Sequence, residues 1–365
     1  MRRHCTTARR PGRWSAGLLC LALATGACSP ESAEVTPLKV MVAGSLLAPM
    51  GAIEEAYEAA HPGIDLLVEG HGSIQVIRRV TELGEDVDIV LTSDAALIPM
   101  LMYQAVDEET GRPYAEWYVE VASNRMALAY TPGSRYAGEI SGDNWPEVLG
   151  RPDVRIGLSD PRFDPSGYRT LMILAMAQEV YDDPTLLVDL TLGQLTPPVA
   201  PVVEEGRTIV HVPELLAPTD SSRIVMRGSS TQLVALLQTG DIDYAFEYES
   251  VIRQNGLEMV RLPAALDLGS DAEAGRYAGY GVVLDSQRFS TVDPAFDGGV
   301  IAYGATVPTN APHPDEAAEF IAFLLGEEGR AVMTASHHSV FDHPEADHHD
   351  ALPEVLRDLT VPKDP

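Results

Sequence analysis

The chain has 365 residues, 45% of them apolar, enough for two domains with separate cores. Its formal net charge is −29, and its only lysines are Lys39 and Lys363. This argues against nucleic-acid binding, which needs basic surface, and the acid excess otherwise bears on solubility, as in a saline setting.

Residues 1–27 read as an export signal. Arg2, Arg3, Arg9, Arg10 and Arg13 form a basic start, and an apolar run from Trp14 to Ala27 follows. That run is too short to span a membrane by itself. It ends in Thr25-Gly26-Ala27-Cys28, which resembles a bacterial lipobox with Thr25 in place of the usual leucine. Cys5 and Cys20 fall inside the signal, so Cys28 would be the one cysteine of the exported chain. It would have no partner for an internal disulfide, and lipid attachment is its expected role. Cleavage removes the five arginines and no acid, taking the charge from −29 to −34.

Residues 28–37 read as the lipidated cysteine and a polar tether. A buried strand is predicted over Leu38–Ala43. Leu46, Met50, Ile53, Tyr57 and Ala60 then recur at helical spacing, and His61-Pro62-Gly63 ends that helix. A strand over Ile64–Glu69, a helix from Ser73 and a strand over Asp88–Leu91 follow. Strand–helix alternation predicts an α/β fold with a mainly parallel sheet, its ligand sites at the carboxyl ends of strands. Trp117–Tyr130 reads as an extended crossover into a second lobe. That lobe would carry a strand over Val154–Leu158, a helix over Tyr168–Tyr181 and a helix from Ser229. Residues 193–222, rich in proline and acids, read as a long excursion. A strand within Gly298–Val307 returns to the first lobe, and an amphipathic helix over Glu316–Leu325 faces Ala317, Phe320, Ile321 and Leu324 inward. The resulting division is 38–118 for the first lobe, 119–254 for the second, and 255–365 for the return with its C-terminal helices and histidine-rich loop.

Three glycine–serine pairs stand at predicted helix starts: Gly44-Ser45, Gly72-Ser73 and Gly228-Ser229. The last two are matched, since Gly72 to Gly84 and Gly228 to Gly240 are both steps of twelve residues. A helix N-terminus offers unpaired N–H groups and the positive end of its dipole, which suits an anion held between two lobes. The sharpest local motif is Ser159-Asp160-Pro161-Arg162-Phe163-Asp164-Pro165-Ser166-Gly167-Tyr168-Arg169, between a strand and a helix.

With Ala43-Gly44-Ser45-Leu46, Tyr114-Ala115-Glu116-Trp117-Tyr118-Val119 and Gly240-Asp241-Ile242-Asp243-Tyr244, that motif makes residues 38–361 resemble the archaeal-type tungstate/molybdate-binding proteins of ABC transporters. The resemblance implies a bilobal type II periplasmic-binding-protein fold, with two α/β lobes closing by a hinge on a tetrahedral oxyanion. It implies a lipid-anchored monomer, periplasmic or at the cell surface, that delivers its anion to a membrane permease, with no catalysis and no cofactor. It implies that Gly44, Ser45 and Ser73 bind oxygens from the first lobe. Asp164 would reach the metal of the oxyanion, Pro165 and Ser166 would form the adjoining wall, and Tyr248 would be the binding tyrosine.

The resemblance breaks at one ligand. The family has a glutamate eighteen residues before its tyrosine, and this chain has Ser230 there. Serine ligates a high-valent metal poorly, so coordination should fall toward plain tetrahedral hydrogen bonding. The site would then select less well between tungstate and molybdate, or admit sulfate or phosphate. Glu247 is a conceivable substitute, although strand alternation points it away from Tyr248. Asp164 beside a dianion needs metal contact, a proton, or screening by Arg169 or Arg227; as an Asp before Pro it also suits a helix cap.

His337, His338, His343, His348 and His349, with Asp342, Asp347 and Asp350, read as an exposed acidic loop, with metal chelation as the alternative. His71 lies beside Ser73. The chain has no Gly-x-Ser-x-Gly elbow and no phosphate-binding loop with its lysine, which argues against the common enzyme classes.

Overall fold

Thr36–Ala43 is an apolar run whose Leu38, Val40, Met41 and Val42 have no exposed surface. Burial on both faces is what a central parallel strand requires. The structure, a computed structural model, describes residues 35–285 and 294–363. The export signal, the lipobox and Cys28 lie outside the described residues.

The first sheet has seven strands. Their order is Val361–Pro362, Glu345–Asp347, Tyr118–Ser123, Ala302–Thr306, Ile89–Thr92, Thr36–Ala43 and Ile64–His71. The last three run parallel, with Ala43 opposite His71 and Val42 opposite Leu91. Their carboxyl ends therefore share one edge. Ala302–Thr306 joins antiparallel, as the predicted returning strand.

The second sheet has the order Ile224–Arg227, Ile156–Ser159, Tyr244–Tyr248, Met126–Tyr130 and Glu258–Arg261. Its first three strands are again parallel, and Met126–Tyr130 pairs antiparallel with both of its neighbours, Tyr244–Tyr248 and Glu258–Arg261. The expected mainly parallel sheet is thus mixed in both halves. The sequence reading placed the changeovers at 118 and 254. The chain leaves the first sheet at Asn124-Arg125, and the second sheet continues to Arg261. A buried strand and a crossover share one apolar pattern, so only strand pairing separates them.

The excursion over 193–222 contributes Pro201–Glu204 and Arg207–Pro213 to a further four-stranded sheet, with Tyr280–Asp285 and Ala295–Asp297. Pro165–Val180 packs against both this sheet and the second one. Every residue from Pro165 to Ala177 is buried, as expected of a helix covered all round. Pro314–Leu325 buries Ala317, Phe320, Ile321 and Leu324, the face its spacing predicts. Among the described residues no helix is long and apolar enough to cross a membrane.

Candidate anion site between the lobes

Each of the three parallel strands in the first sheet is followed by a serine. Ser45 follows Thr36–Ala43, Ser73 follows Ile64–His71, and Ser93 follows Ile89–Thr92. All three serines are buried. The second sheet repeats the arrangement with different chemistry. Ser159 leads into Asp164, Arg227 leads into Ser229 and Ser230, and Tyr248 ends its own strand. The two sets meet where the lobes touch. Ile74 N–H donates to the Phe163 carbonyl at 3.2 Å, and a Cβ on Gly44 would sit 2.9 Å from Ser229 Oγ. A Cβ on Gly72 would collide with the Phe163 carbonyl, so glycine is needed there, whereas one on Gly44 would press only on side-chain atoms.

Ser73 opens its helix at the first turn behind Gly72, as expected. Its Oγ accepts from Ser93 N–H at 2.9 Å and lies 3.0 Å from Ser93 Oγ. Ser45 Oγ is 3.0 Å from the Tyr303 hydroxyl. Asn124 Nδ2 donates to that hydroxyl at 3.1 Å and to Ser250 Oγ at 2.8 Å. His71 does not reach this cluster; its ring nitrogen is bonded to Arg79.

Asp164 caps Pro165–Val180 through Ser166 N–H at 2.9 Å. Its other oxygen accepts from Ser230 N–H at 2.7 Å, and the Ser229 side chain adds a third donor. One carboxylate thus joins the N-termini of two helices. Burial pushes its pKa up, and the backbone donors and Arg169 pull against that. Pro165 is buried in the first turn, as the helix-start reading expects. The Ser166 hydroxyl donates to the Phe246 carbonyl at 3.5 Å.

The helix expected to open at Ser229 is Thr231–Thr239, with Ser230 as its N-cap. The Ser230 hydroxyl donates to Glu247 Oε1 at 3.1 Å. Strand alternation does turn Glu247 away from the Tyr248 ring, but it places the carboxylate behind Ser230. Burial pushes the Glu247 pKa up to about 8.

Arg169 is buried at the centre of the lobe contact. It donates to the Tyr248 hydroxyl at 2.6 Å and to the Ser93 carbonyl at 2.8 Å, and pairs with Asp94 at 3.1 Å. Burial pulls its pKa down, but Tyr248, Asp94 and Tyr168 outweigh this and the net shift is upward. Arg227 takes no such part, since it is exposed and bonds the Met226 carbonyl. Ser93 and Tyr303 were not singled out in the sequence. The signal for Ser93 was present, as a serine ending a third parallel strand. Tyr303 carried no local signal, because it arrives from 258 residues beyond Ser45.

The histidine-rich stretch is not a free loop. His338 is buried with Nε2 3.3 Å from Ser250 Oγ, and Glu345–Asp347 pairs with Tyr118–Ser123. His348 stacks on Tyr103. Among the described residues no cluster of histidine, cysteine or acidic side chains is placed to hold a metal ion.

Residues 38–337 match the bacterial extracellular solute-binding protein family. The chain belongs to that family. An uncharacterized solute-binding protein of Methanoculleus marisnigri is 38% identical over 305 residues, covering 83% of this chain and 81% of the relative. The periplasmic molybdate-binding protein of Azotobacter vinelandii covers 84% of this chain and all of its own, with a TM-score of 0.52 at 15% identity. A sulfate-binding protein of Mycobacterium tuberculosis covers 90% of this chain and 92% of its own, with a TM-score of 0.50 at 13% identity. The fold of this solute-binding protein is accordingly the bilobal α/β type II fold of the periplasmic binding proteins.

Proposed function

We propose that this protein is exported and captures a tetrahedral oxyanion, molybdate or tungstate, between its lobes for delivery to an ABC permease. The observation that carries the reading is the meeting of Ser45, Ser73 and Ser93 with two helix N-termini and the buried guanidinium of Arg169. Hydroxyls and N–H groups of this kind hold a desolvated anion by short charge-assisted hydrogen bonds. Gly72 allows the two rims to approach. Tyr248 adds a phenol held by Arg169.

Asp164 supports a metal-centred anion over sulfate. A carboxylate repels a dianion unless it contacts the metal or carries a proton. With three donors on its two oxygens, the carboxylate keeps a lone pair on one of them, so a metal contact is compatible with the cap. Ser230 in place of a second carboxylate favours weak metal contact on that side, which keeps sulfate and phosphate as the second reading. A cavity of about 320 Å³ adjoins Arg169, but Asp94, Glu120 and Asp297 in its wall suit an anion poorly. Lipid anchoring at Cys28 and a monomeric state complete the proposal.

The test is calorimetric titration of residues 29–365 with molybdate, tungstate, sulfate and phosphate. Tight binding of molybdate or tungstate with sulfate inert is the expected result. Binding of sulfate or phosphate alone transfers the site to the second reading, and silence for all four rejects both.

A further inference from the structure

Glu247 is a buried carboxyl with an oxygen that nothing satisfies. Its Oε1 accepts from the Tyr248 N–H at 2.7 Å and from the Ser230 hydroxyl. Its Oε2 is buried without a hydrogen-bond partner. A charged carboxylate in that position would leave half its charge desolvated, which is strongly unfavourable. A neutral carboxyl loses less, because the two accepted bonds fall on Oε1 and only an uncharged O–H on Oε2 goes without a partner.

The surroundings favour the neutral form from each side. Alternation along Tyr244–Tyr248 places Ala245 and Glu247 on the face that packs under Thr231–Thr239, within the small apolar cluster of Ala127, Leu233 and Ile242. Ala127 lies opposite on the neighbouring strand. Ser159 ends the strand on the other side, neutral and with its own hydroxyl unpartnered. Asp164 is the charged group facing Glu247, and it has the same sign. Arg169 is on the opposite face and committed to Asp94 and Tyr248.

We propose that Glu247 is a proton-bearing positioning residue of the anion site: as a neutral carboxyl it holds the Ser230 hydroxyl, and when its proton is lost to solvent the anion is expelled. This rests on the oxyanion reading above. Loss of the proton puts a second carboxylate beside Asp164, behind a site already holding a dianion. Anion and Glu247 charge therefore exclude one another, and binding takes up a proton wherever free Glu247 is ionised.

The sign follows from linkage. With Glu247 raised to about 8, the free protein is mostly protonated there at pH 7 and binding takes up little proton. Above that value affinity falls by up to about tenfold per pH unit. The experiment is titration with molybdate and with sulfate from pH 6.5 to 9.5, a range over which both probes keep their charge. It is run in buffers of different ionisation enthalpy, with Glu247→Gln in parallel. Whichever probe binds should weaken above pH 8 with proton uptake approaching one, while the affinity that remains in Glu247→Gln loses the alkaline decline. Proton uptake is read on the unaltered protein, so the test stands if the variant does not fold. Binding that is flat with pH, or an alkaline decline kept by Glu247→Gln, overturns the proposal and leaves the functional reading intact. No binding of either probe at any pH, with tungstate and phosphate also silent, overturns the functional reading and this proposal with it.

Discussion

Arg169 bridges the lobes through one side chain, and its value depends on what it leaves behind. It joins a helix of the second lobe to Ser93 and Asp94 of the first, and Tyr168 adds a 2.5 Å bond to the same Asp94 carboxylate. Replacing a buried ion pair by apolar groups is often neutral, but deleting one partner strands the other. Arg169→Gln leaves Asp94 without its cation and the Ser93 carbonyl without its charged donor. The expected loss is about 3 kcal/mol, read as a lower urea midpoint with an unchanged slope. Asp94→Asn should cost less, since Asp94 is partly exposed and its amide still accepts from Tyr168. Oxyanion affinity should fall in the arginine variant as well, because a buried cation leaves the site.

At the element scale the notable device is a carboxylate shared by two helices. Pro165–Val180 and Thr231–Thr239 each present an N-terminus, and Asp164 accepts an N–H from both. Neither helix carries an acidic residue in its first turn, so Asp164 is the charge that complements both dipoles. Asp164→Asn keeps one acceptor oxygen and forfeits the other. Melting should show a loss of about 1–2 kcal/mol, in line with the removal of one cap. Affinity separates the two roles of this residue. If Asp164 touches the metal of the bound anion, the variant should lose molybdate far more than sulfate. A cap acting alone should weaken both by the same factor in parallel titrations.

The whole molecule sets a field that opposes its proposed cargo. A net charge of −29 repels an anion at long range, and the local dipoles act only once the ligand is inside the cleft. Salt shortens the reach of that repulsion to about 8 Å at physiological ionic strength. The association rate for molybdate should therefore rise with added sodium chloride, measured by stopped-flow fluorescence. Proteins that steer their ligand electrostatically show the opposite slope, and a falling rate here would mean that a local positive field dominates at the mouth of the cleft. Two passages of the chain join the sheets. Asn124-Arg125 is the direct one, and Asp267–Gly269 of the other lies alongside it, with Arg125 bonded to Asp267 at 2.8 Å.

The sequence by itself determined the local part of this protein. Apolar runs of four to eight residues bounded by Gly, Pro and His marked the strands, and 3.6-residue spacing marked Leu47–Ala60 and Pro314–Leu325. Glycine–serine pairs and an Asp-Pro step marked where helices begin, because capping is decided within a few residues. So Ser45, Ser73, Asp164 and Ser230 were legible as candidates. The partners of those residues were not. Ser93 came to Ser73 by strand order, Tyr303 to Ser45 by the return of a distant strand, and Arg169 to Ser93 by contact of the two lobes. His338 looked exposed by its acidic neighbours and is buried against Ser250. Glu247 shows the division most plainly. Alternation correctly gave its face, but that face lies behind Ser230 only because Thr231–Thr239 packs over the strand. Periodicity reports which side of an element a residue occupies, and tertiary packing alone decides what stands on that side.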